Sequence, residues 1–599
     1  MRIDDYAVIG DCRSAALVSR AGSIDWLAWP RFDSDPIFAA ILDEARGGSF
    51  SIRPTGSFAS TRTYLDGTNV LETRFVAGDG TLVVTDSMIV SDEAEHRRAL
   101  VPEHELLRVV ECVAGRVEVE IVFDPRPGFR PPRISIGRDS VRSTDGATMA
   151  LLRGVTGMQP AAGGGVRGIL RMTNGGRLVL SLVHAARDPA VLTPLGDAAT
   201  ARMESTTRWW RRWSSLARHD GPYRAHVVRS ALALKLLCYG PSGAVVAAPT
   251  TSLPEEPGGS LNWDYRYCWL RDAALTAHVL YGLGYDAEGD AFVDWLTHAT
   301  RLTRPELRVL YDVFGRKPSR ETERWSLAGH AGSRPVRIGN AAADQFQIDV
   351  YGEVIDAVAQ RCRRGMRPDP ETTTMLRQFA EFVCENWRRP DHGIWESRGG
   401  PRHYVYSSVM CWVALERLLE LAARGDIALT PAIRELVERN RDELSAAVRT
   451  RGWSEQHQSY VEVLDGDTVD ASLLLLSWYG FERADSPRMR GTLEHVDRVL
   501  GAGNGLLRRN LAADEGAFGI CSFWGVEQLA RGGGSLPEAE ARFSALLRHG
   551  NDVGLFAEET DPATGAAVGN FPQAFTHVGL VNAAIAIERR RHDARGSSR

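Results

Sequence analysis

The sequence predicts a chain of mixed β and α structure, with an N-terminal antiparallel β-sandwich followed by an (α/α)6 barrel. Three observations lead to this expectation. The chain has 599 residues, a length that favours two or more domains. Short alternating strands with turn signals occupy about the first 200 residues. The hydrophobic period then changes to that of long amphipathic helices.

The first domain, expected over residues 1–195, is indicated by pairs of strands with a turn between them. Residues 69–76 and 81–85 flank a glycine-rich turn signal, and 107–113 and 117–123 alternate around a second one. Residues 177–183 have the composition of a further strand. Many short strands separated by turn signals are typical of a sandwich.

A charged, tryptophan-bearing helix is expected at 200–216, inside a linker assigned to 196–222, and a polar tail at 593–599. The helical domain is assigned to 223–592, where about 370 residues accommodate twelve helices with their loops. That number suits a ring of six helical hairpins and also an α-solenoid, although no sequence repeat of fixed period supports the solenoid. The predicted amphipathic stretches are 223–237, 273–283, 288–300, 343–361, 372–387, 407–423 and 537–549.

Composition excludes several classes of protein. Hydrophobic residues make up 44% and charged residues 25% of the chain, as in ordinary globular proteins. A net charge of −5 predicts no nucleic-acid partner. No apolar run of about 18–20 residues and no basic, apolar leader occurs, so we expect a cytoplasmic protein without a membrane partner. None of the eight cysteines forms a C-x-x-C pair, which argues against a zinc ribbon or a thioredoxin-like motif.

Glu396 is the first candidate for chemistry. It lies in the segment 391–400, which is expected to be a loop between two helices, where catalytic groups often sit. A carboxyl group held against the neighbouring Trp395 indole has a raised pKa, which suits a general acid. A surface-loop glutamate would have the same local sequence, so the segment alone leaves both interpretations open.

Glu558 is the second candidate, in the segment 554–562. Adjacent acids such as Glu558 and Glu559 are usually solvated loop charges. Here a polar and aromatic loop at 569–577 follows and leads into an apolar helix. Two carboxylates far apart in sequence, each in an aromatic loop, are what glycoside hydrolysis needs.

The segment 262–272 concentrates aromatic and charged side chains just before a predicted helix. Aromatic faces suit the C–H faces of a sugar, and arginine and aspartate suit its hydroxyl groups. A buried aromatic cluster with an Arg–Asp pair would look the same. Arg334 and Arg337 lie between glycines in 332–340, where they could hold hydroxyl groups or phosphate or belong to a solvated loop.

Motifs for other chemistries fail. Residues 163–168 match G-x-G-x-x-G, but a strand-like stretch follows instead of the helix that a dinucleotide site needs. The sequence contains no Walker loop, no H-E-x-x-H and no G-x-S-x-G. We therefore predict neither a cofactor nor a metal.

The chain resembles glycoside hydrolase family 15, which comprises glucoamylases, glucodextranases and bacterial trehalases, nearly from end to end. The resemblance rests on G-S-I-D-W-L at 22–27, P-R-F-D-S at 30–34, A-P-T-T-S-L-P-E at 248–255, W-D-Y-R-Y-C-W-L-R-D at 263–272, G-I-W-E at 393–396 and G-N-F-P-Q-A-F at 569–575. It implies the sandwich, the linker helix and the (α/α)6 barrel. It also implies an inverting exo-hydrolase that removes one glucose from a non-reducing end.

The same resemblance implies roles for individual residues, with Glu396 as general acid and Glu558 as general base. The sequence departs from the family pattern at 506–510, where relatives often carry aromatics, and at Ser333, where fungal relatives carry tryptophan. The residues matched to sugar binding are Tyr265 near the reacting carbon, Trp269, Arg271 and Asp272 around the terminal glucose, Trp395 beside the acid, and Arg334, Arg509 and Glu515.

The implied mechanism has Glu396 protonate the glycosidic oxygen while an ionised Glu558 takes a proton from the attacking water. The substrate stays open among α-1,4 glucans, α-1,6 oligosaccharides and trehalose. A phosphorolytic enzyme on a similar barrel and a non-catalytic glucan-binding protein are the alternatives of another class. A homo-oligomer is left open as well.

Overall fold

A computed structural model describes residues 1–90, 102–146, 148–186, 191–512 and 515–596. Its first part is built from strands, with buried and exposed positions alternating along several of them. The strands are β1 Tyr6–Gly10, β2 Ala15–Ser19, β3 Ser23–Ala28, β4 Pro36–Phe38, β5 Ser49–Pro54, β6 Ala59–Tyr64, β7 Leu71–Ala77, β8 Gly80–Met88, β9 Glu105–Ala114, β10 Arg116–Asp124, β11 Arg133–Ile136, β12 Ser140–Thr144, β13 Met149–Arg153, β14 Gln159–Pro160, β15 Val166–Thr173 and β16 Arg177–Ala185.

These strands form two antiparallel sheets that share one hydrophobic core. The first has the order β1-β2-β3-β5-β10-β15-β14, with β4 beside β3, and the second has the order β11-β12-β13-β16-β9-β8-β7-β6. The hairpin expected around Gly78 is the β7–β8 pair. The sandwich-like architecture predicted from alternation is therefore confirmed.

Helices follow, beginning with α1 Asp197–Ser214 in the region of the predicted linker helix. The last helix continues to Gly596, into the stretch predicted as a polar tail, and residues 597–599 lie outside the described residues. The remaining helices are α2 Arg224–Leu237, α3 Leu270–Gly282, α4 Asp286–Ala299, α5 Val350–Arg363, α6 Pro370–Asn386, α7 Val405–Ala423, α8 Pro431–Arg451, α9 Leu475–Trp478, α10 Pro487–Leu500, α11 Gly519–Gln528, α12 Leu536–Leu547 and α13 Ala574–Gly596.

The helices form a closed ring. Helices α3, α5, α7, α9, α11 and α13 contact one another in that order, and α13 contacts α3 again. The other helices pack outside this ring, for example α8 against α7 and α2 against α13. Repeats of a solenoid contact only their neighbours, so contact between the first and last ring members excludes the solenoid.

Short strands line the loops at one end of the ring. They are β17 Thr251–Pro254, β18 Asn262–Asp264, β19 Cys268–Trp269, β20 Leu310–Tyr311, β21 Thr322–Arg324, β22 Val336–Ile338, β23 Trp453–Ser454, β24 Ser459–Tyr460, β25 Ala517–Phe518, β26 Glu559–Thr560 and β27 Ala567–Val568. Most of them pair as two-stranded ribbons, which stiffen the loops before the inner helices.

The sandwich packs against these loops through buried polar contacts. The Arg266 guanidinium pairs with Asp264 at 2.7 Å and donates to the backbone oxygen of Ser34 at 2.8 Å. The Trp26 indole donates to the Pro249 oxygen at 2.8 Å. Both contacts tie the N-terminal strands to the segment that carries Tyr265 and Trp269.

The eight cysteines are buried and free. Within the described ranges, no helix combines the length and the apolar character that crossing a membrane requires.

Candidate active site

A cavity of about 1150 Å³ opens at the end of the ring where the inner helices begin. Trp269, Tyr404 and Phe518 line it, and each is the residue immediately before an inner helix, α3, α7 and α11 respectively. The cavity is therefore walled by the loops that lead into the ring, the arrangement in which a rigid scaffold presents chemically active loops.

Glu396 projects into this cavity from the loop before α7. The Trp269 indole nitrogen donates to its Oε1 at 2.5 Å, and an Arg271 guanidinium nitrogen lies 3.7 Å from the same oxygen. Gln345 donates to the Glu396 backbone oxygen at 3.0 Å. Glu396 has a φ of +59°, which is uncommon for a residue other than glycine and costs free energy. These contacts hold the carboxylate in a conformation that the chain alone would not favour.

Arg271 and Asp272 occupy the first turn of α3 and are both buried. Arg271 reaches Asp272 at 3.2 Å and donates to the Ile394 backbone oxygen at 2.7 Å, so it also supports the loop that carries Glu396. Burial raises the pKa of Asp272 to about 7, against the lowering influence of Arg271. The pair offers a donor and an acceptor side by side on the cavity wall.

Glu558 is fully buried, directly before β26. Its Oε2 accepts the Asn570 backbone N–H at 3.1 Å, and its Oε1 has no hydrogen-bond partner among the described residues. Gly569 is required beside it, because a Cβ there would lie 2.5 Å from Oε2. Burial raises the pKa of Glu558 well above its usual range, the Glu255 charge raises it further, and the Tyr265 hydroxyl lowers it. Burial thus opposes the expected ionised state.

Two aromatic rings connect the two candidate acids. Trp269 donates to Glu396, the rings of Trp269 and Tyr265 are 5.4 Å apart in an edge-to-face arrangement, and the Tyr265 hydroxyl lies beside Glu558. Tyr265 lines the cavity, whereas Glu558 is not among the described residues that line it. Both acids therefore belong to one site, with Glu558 one layer deeper.

Arg509 lies in the middle of a group of buried glutamates. It contacts Glu515 and donates to Glu255 at 3.1 Å. Oxygens of Glu255, Glu515 and Glu559 lie within 4.8 Å of one another, close enough to hold a cation, but Arg509 already supplies a positive charge to two of them. Burial raises the pKa of Glu255 to about 7, with Arg509 opposing the rise.

Trp395 forms part of an aromatic wall. Its ring lies 5.5 Å from Phe518 and 6.0 Å from Trp524, and its indole nitrogen donates to Asp470. The Arg509 guanidinium stands 5.9 Å from the same ring. Because Trp395 directly precedes Glu396, this wall limits the positions that the acid can adopt.

Comparison with known proteins agrees with this fold and with a site for carbohydrate chemistry. Residues 221–533 match the family model for glycosyl hydrolases family 15, and residues 1–155 match the model for a trehalase-like N-terminal domain. A trehalase of Mycolicibacterium smegmatis is 37% identical over 636 aligned positions, which cover 99% of this chain and 92% of the relative. The chain belongs to glycosyl hydrolases family 15. It is a glycoside hydrolase, as the resemblance implied, and its substrate is a carbohydrate.

Two further comparisons agree with the sequence match and with the fold. A trehalase of Thermoplasma volcanium is 33% identical, covering 98% of this chain and 94% of the relative. A bacterial glucoamylase solved in complex with acarbose superposes with a TM-score of 0.70, covering 98% of this chain and 94% of that chain. At 13% identity that structure supports the fold alone.

The structure brings most of the predicted site residues to one place. Tyr265, Trp269, Arg271, Asp272, Trp395, Glu396, Arg509 and Glu515 all line the cavity. Arg334 is not brought there: it is exposed and donates to the Ala328 backbone oxygen at 3.2 Å. The neighbouring Arg337 is buried instead, because it stacks 4.6 Å from the Trp263 ring.

Sequence reasoning missed several members of the site. Gln573 and Phe575, which line the cavity, and Glu255, which pairs with Arg509, stand inside quoted motifs, and their positions beside carboxylates or aromatics could have marked them. His457 and His495, which line the cavity and stack 4.7 Å apart, have no local sequence signal, because they come from different segments.

Proposed function

We propose that this enzyme hydrolyses α-glucosides from the non-reducing end with inversion, and that α,α-trehalose is its substrate. The observation that supports the proposal is the linked series Glu396, Trp269, Tyr265 and Glu558, of which the first three line the cavity and Glu558 lies behind Tyr265. An inverting enzyme needs two carboxyls roughly 6.5–9.5 Å apart so that water fits between the base and the sugar. Two interposed rings support a separation of that kind.

Glu396 is assigned the role of general acid. The Trp269 indole can only donate, so its hydrogen bond to Oε1 leaves Oε2 as the oxygen that carries the proton. Oε2 then gives the proton to the glycosidic oxygen as the bond to the anomeric carbon breaks. Gln345 and Arg271 hold the loop, so the acid does not have to be oriented anew in each turnover.

Glu558 is assigned the role of general base. The Asn570 N–H occupies Oε2, and the unpartnered Oε1 is free to accept a hydrogen bond from water. That water attacks the anomeric carbon from the face opposite the leaving group and gives its proton to Oε1. The deep position of Glu558 keeps bulk solvent from this step.

Arg271 and Asp272 are assigned to the hydroxyl groups of the glucose that is released. They present a fixed donor and a fixed acceptor, and a buried pair loses little entropy when it binds a polyol. The Trp395 and Phe518 rings offer apolar faces for the C–H side of the sugar. Such a pocket ends in the protein interior and therefore accepts a chain end.

Trehalose is favoured among the substrates because relatives that match along nearly the whole chain bear the name trehalase. The first test is glucose release from trehalose, maltose, isomaltose, soluble starch and dextran, with and without phosphate. Trehalose should be hydrolysed fastest and without phosphate. Formation of glucose 1-phosphate would instead identify a phosphorolytic enzyme, and faster hydrolysis of maltose or starch would identify a glucan hydrolase.

Early-time NMR tests the stereochemistry. Inversion releases one β-glucose and one α-glucose from each trehalose, because only the attacked anomeric carbon changes configuration. Retention would release α-glucose alone and would remove Glu558 from the role of base.

A further inference from the structure

We propose that Arg398 determines substrate length, because it covers the cavity face of Trp263 and so limits the leaving-group side to a single sugar ring. The inference rests on the proposed function and concerns the part of the cavity that would hold the leaving group. It comes from the contacts of one indole ring.

Trp263 lies in β18 and lines the cavity. Two guanidinium groups contact its ring, Arg337 at 4.6 Å and Arg398 at 4.1 Å from the ring centre. Arg337 is 6% exposed and is not among the described residues that line the cavity, whereas the Arg398 side chain is 51% exposed and does line it. Arg337 therefore supports the ring from the protein side, and Arg398 lies on the side that substrate approaches.

Glu321 joins the two arginines. Its carboxylate is 3.3 Å from Arg398 and 3.4 Å from Arg337. Arg337 is fixed further by donation to the backbone oxygens of Ser260 at 2.8 Å and Asn262 at 3.0 Å. Arg398 is therefore held by Glu321, which also pairs with the fixed Arg337, although the Arg398 side chain is half-exposed.

Arg398 also belongs to the loop of the general acid, two residues after Glu396. The sugar nearest to Trp263 is therefore expected to belong to the leaving group, which Glu396 protonates. An open indole face would stack against the C–H face of a sugar ring. With Arg398 on that face, a second leaving-group sugar meets a cation and no apolar platform. A substrate with one leaving-group sugar, such as a disaccharide, does not need the platform.

The test compares Arg398→Gln with the unchanged enzyme, using maltose and maltotetraose to compete with hydrolysis of a chromogenic aryl α-glucoside. Glutamine is uncharged and too short to cover the ring. The inhibition constant of maltotetraose should fall about 2- to 10-fold, the factor that one ring contact is worth, while that of maltose stays unchanged. Adding Trp263→Ala to the variant should abolish the gain.

Arg388→Gln is the matched control. Arg388 stands 4.1 Å from the centre of the Trp387 ring, pairs with Glu443 and is 56% exposed. Neither Arg388 nor Trp387 is among the described residues that line the cavity. It should change neither inhibition constant. Arg398→Lys, which keeps the charge but loses the planar fork, should give an intermediate change.

The proposal is overturned if Arg398→Gln changes both inhibition constants in the same proportion, since Arg398 would then only orient the acid loop. A gain that survives Trp263→Ala, or maltotetraose that fails to bind in every variant, would overturn it as well. These comparisons do not require trehalose to be the substrate. Failure of trehalose hydrolysis would reject the proposed substrate and leave the length test intact.

Discussion

Replacing Glu558 by glutamine should lower kcat by about 10²–10⁴-fold, the range that general base catalysis supplies, which corresponds to about 2.7–5.5 kcal/mol. The carboxamide oxygen can still accept the Asn570 N–H, so the local structure should persist. What is lost is the acceptor at Oε1 that takes the proton from water in the proposed mechanism. The KM should change little, because Glu558 lies behind Tyr265 and is not among the described residues of the cavity wall.

The surroundings of Glu558 place the expected loss in the upper part of that range. Glu559 is the nearest carboxyl in sequence, but consecutive side chains of an extended chain point to opposite sides. Glu255 and Glu515 are both held by Arg509. No neighbouring described carboxylate is therefore free to replace the base.

The assay combines steady-state kinetics with thermal unfolding. The unfolding temperature of Glu558→Gln should not fall, because burial already raises the pKa of this carboxyl and favours an uncharged group at the site. Azide should restore turnover in Glu558→Ala and yield the β-glucosyl azide. Glu353→Gln serves as the control, since Glu353 is also buried but accepts hydrogen bonds from Tyr406 and Tyr479, neither of which is among the described residues that line the cavity. More than a tenth of wild-type kcat in Glu558→Gln would refute the assignment.

Three further predictions concern single carboxyls. Glu396→Gln should lower kcat for trehalose by about 10²–10⁴-fold but much less for a glucoside whose leaving group needs no proton; equal losses on both substrates would contradict its role as acid. Glu255→Gln should move the acidic limb of the kcat/KM profile to lower pH, because the Glu255 charge raises the pKa of the proposed base Glu558, which must be ionised to act. An unchanged acidic limb would contradict an effect of the Glu255 charge on Glu558. Burial raises the pKa of Glu353 to about 8, so its stabilising contribution, present at pH 4, is lost as pH rises through 8. In Glu353→Gln, up to about 5 kcal/mol of this alkaline loss in the free energy of unfolding should disappear. Chemical unfolding at pH 5 and 9 measures the loss, and equal losses in both proteins would contradict the prediction.

Local sequence signals were sufficient for several strands and helices and for some of the residues that line the cavity. The alternation in 69–76 and 81–85 predicted strands that became β7 and β8, because alternation with period two specifies which face is buried. Spacings of three and four residues predicted helices, because they place apolar side chains on one face of a helix. Glu396 and the segment 263–272 were marked as candidates because aromatic and charged types are concentrated there, and these types suit sugar chemistry.

Only the tertiary structure decided how distant segments meet. Contact between α3 and α13 closes the ring and excludes the solenoid, and no local period contains that contact. Arg334 and Arg337 have similar local sequences, yet one is exposed and the other packs on Trp263, because the place for a buried guanidinium is made by β18 and Glu321.

The burial of Glu558, the proposed base, likewise depends on the tertiary structure. Glu558 and Glu559 look like ordinary loop charges in sequence, but both are buried, Glu559 within the three-stranded sheet β25-β26-β27 and Glu558 directly before it. The sequence determined which side chains and which local structures were available. The folded chain decided which of them share a low-dielectric site, because burial and charge proximity arise from contacts between residues hundreds of positions apart.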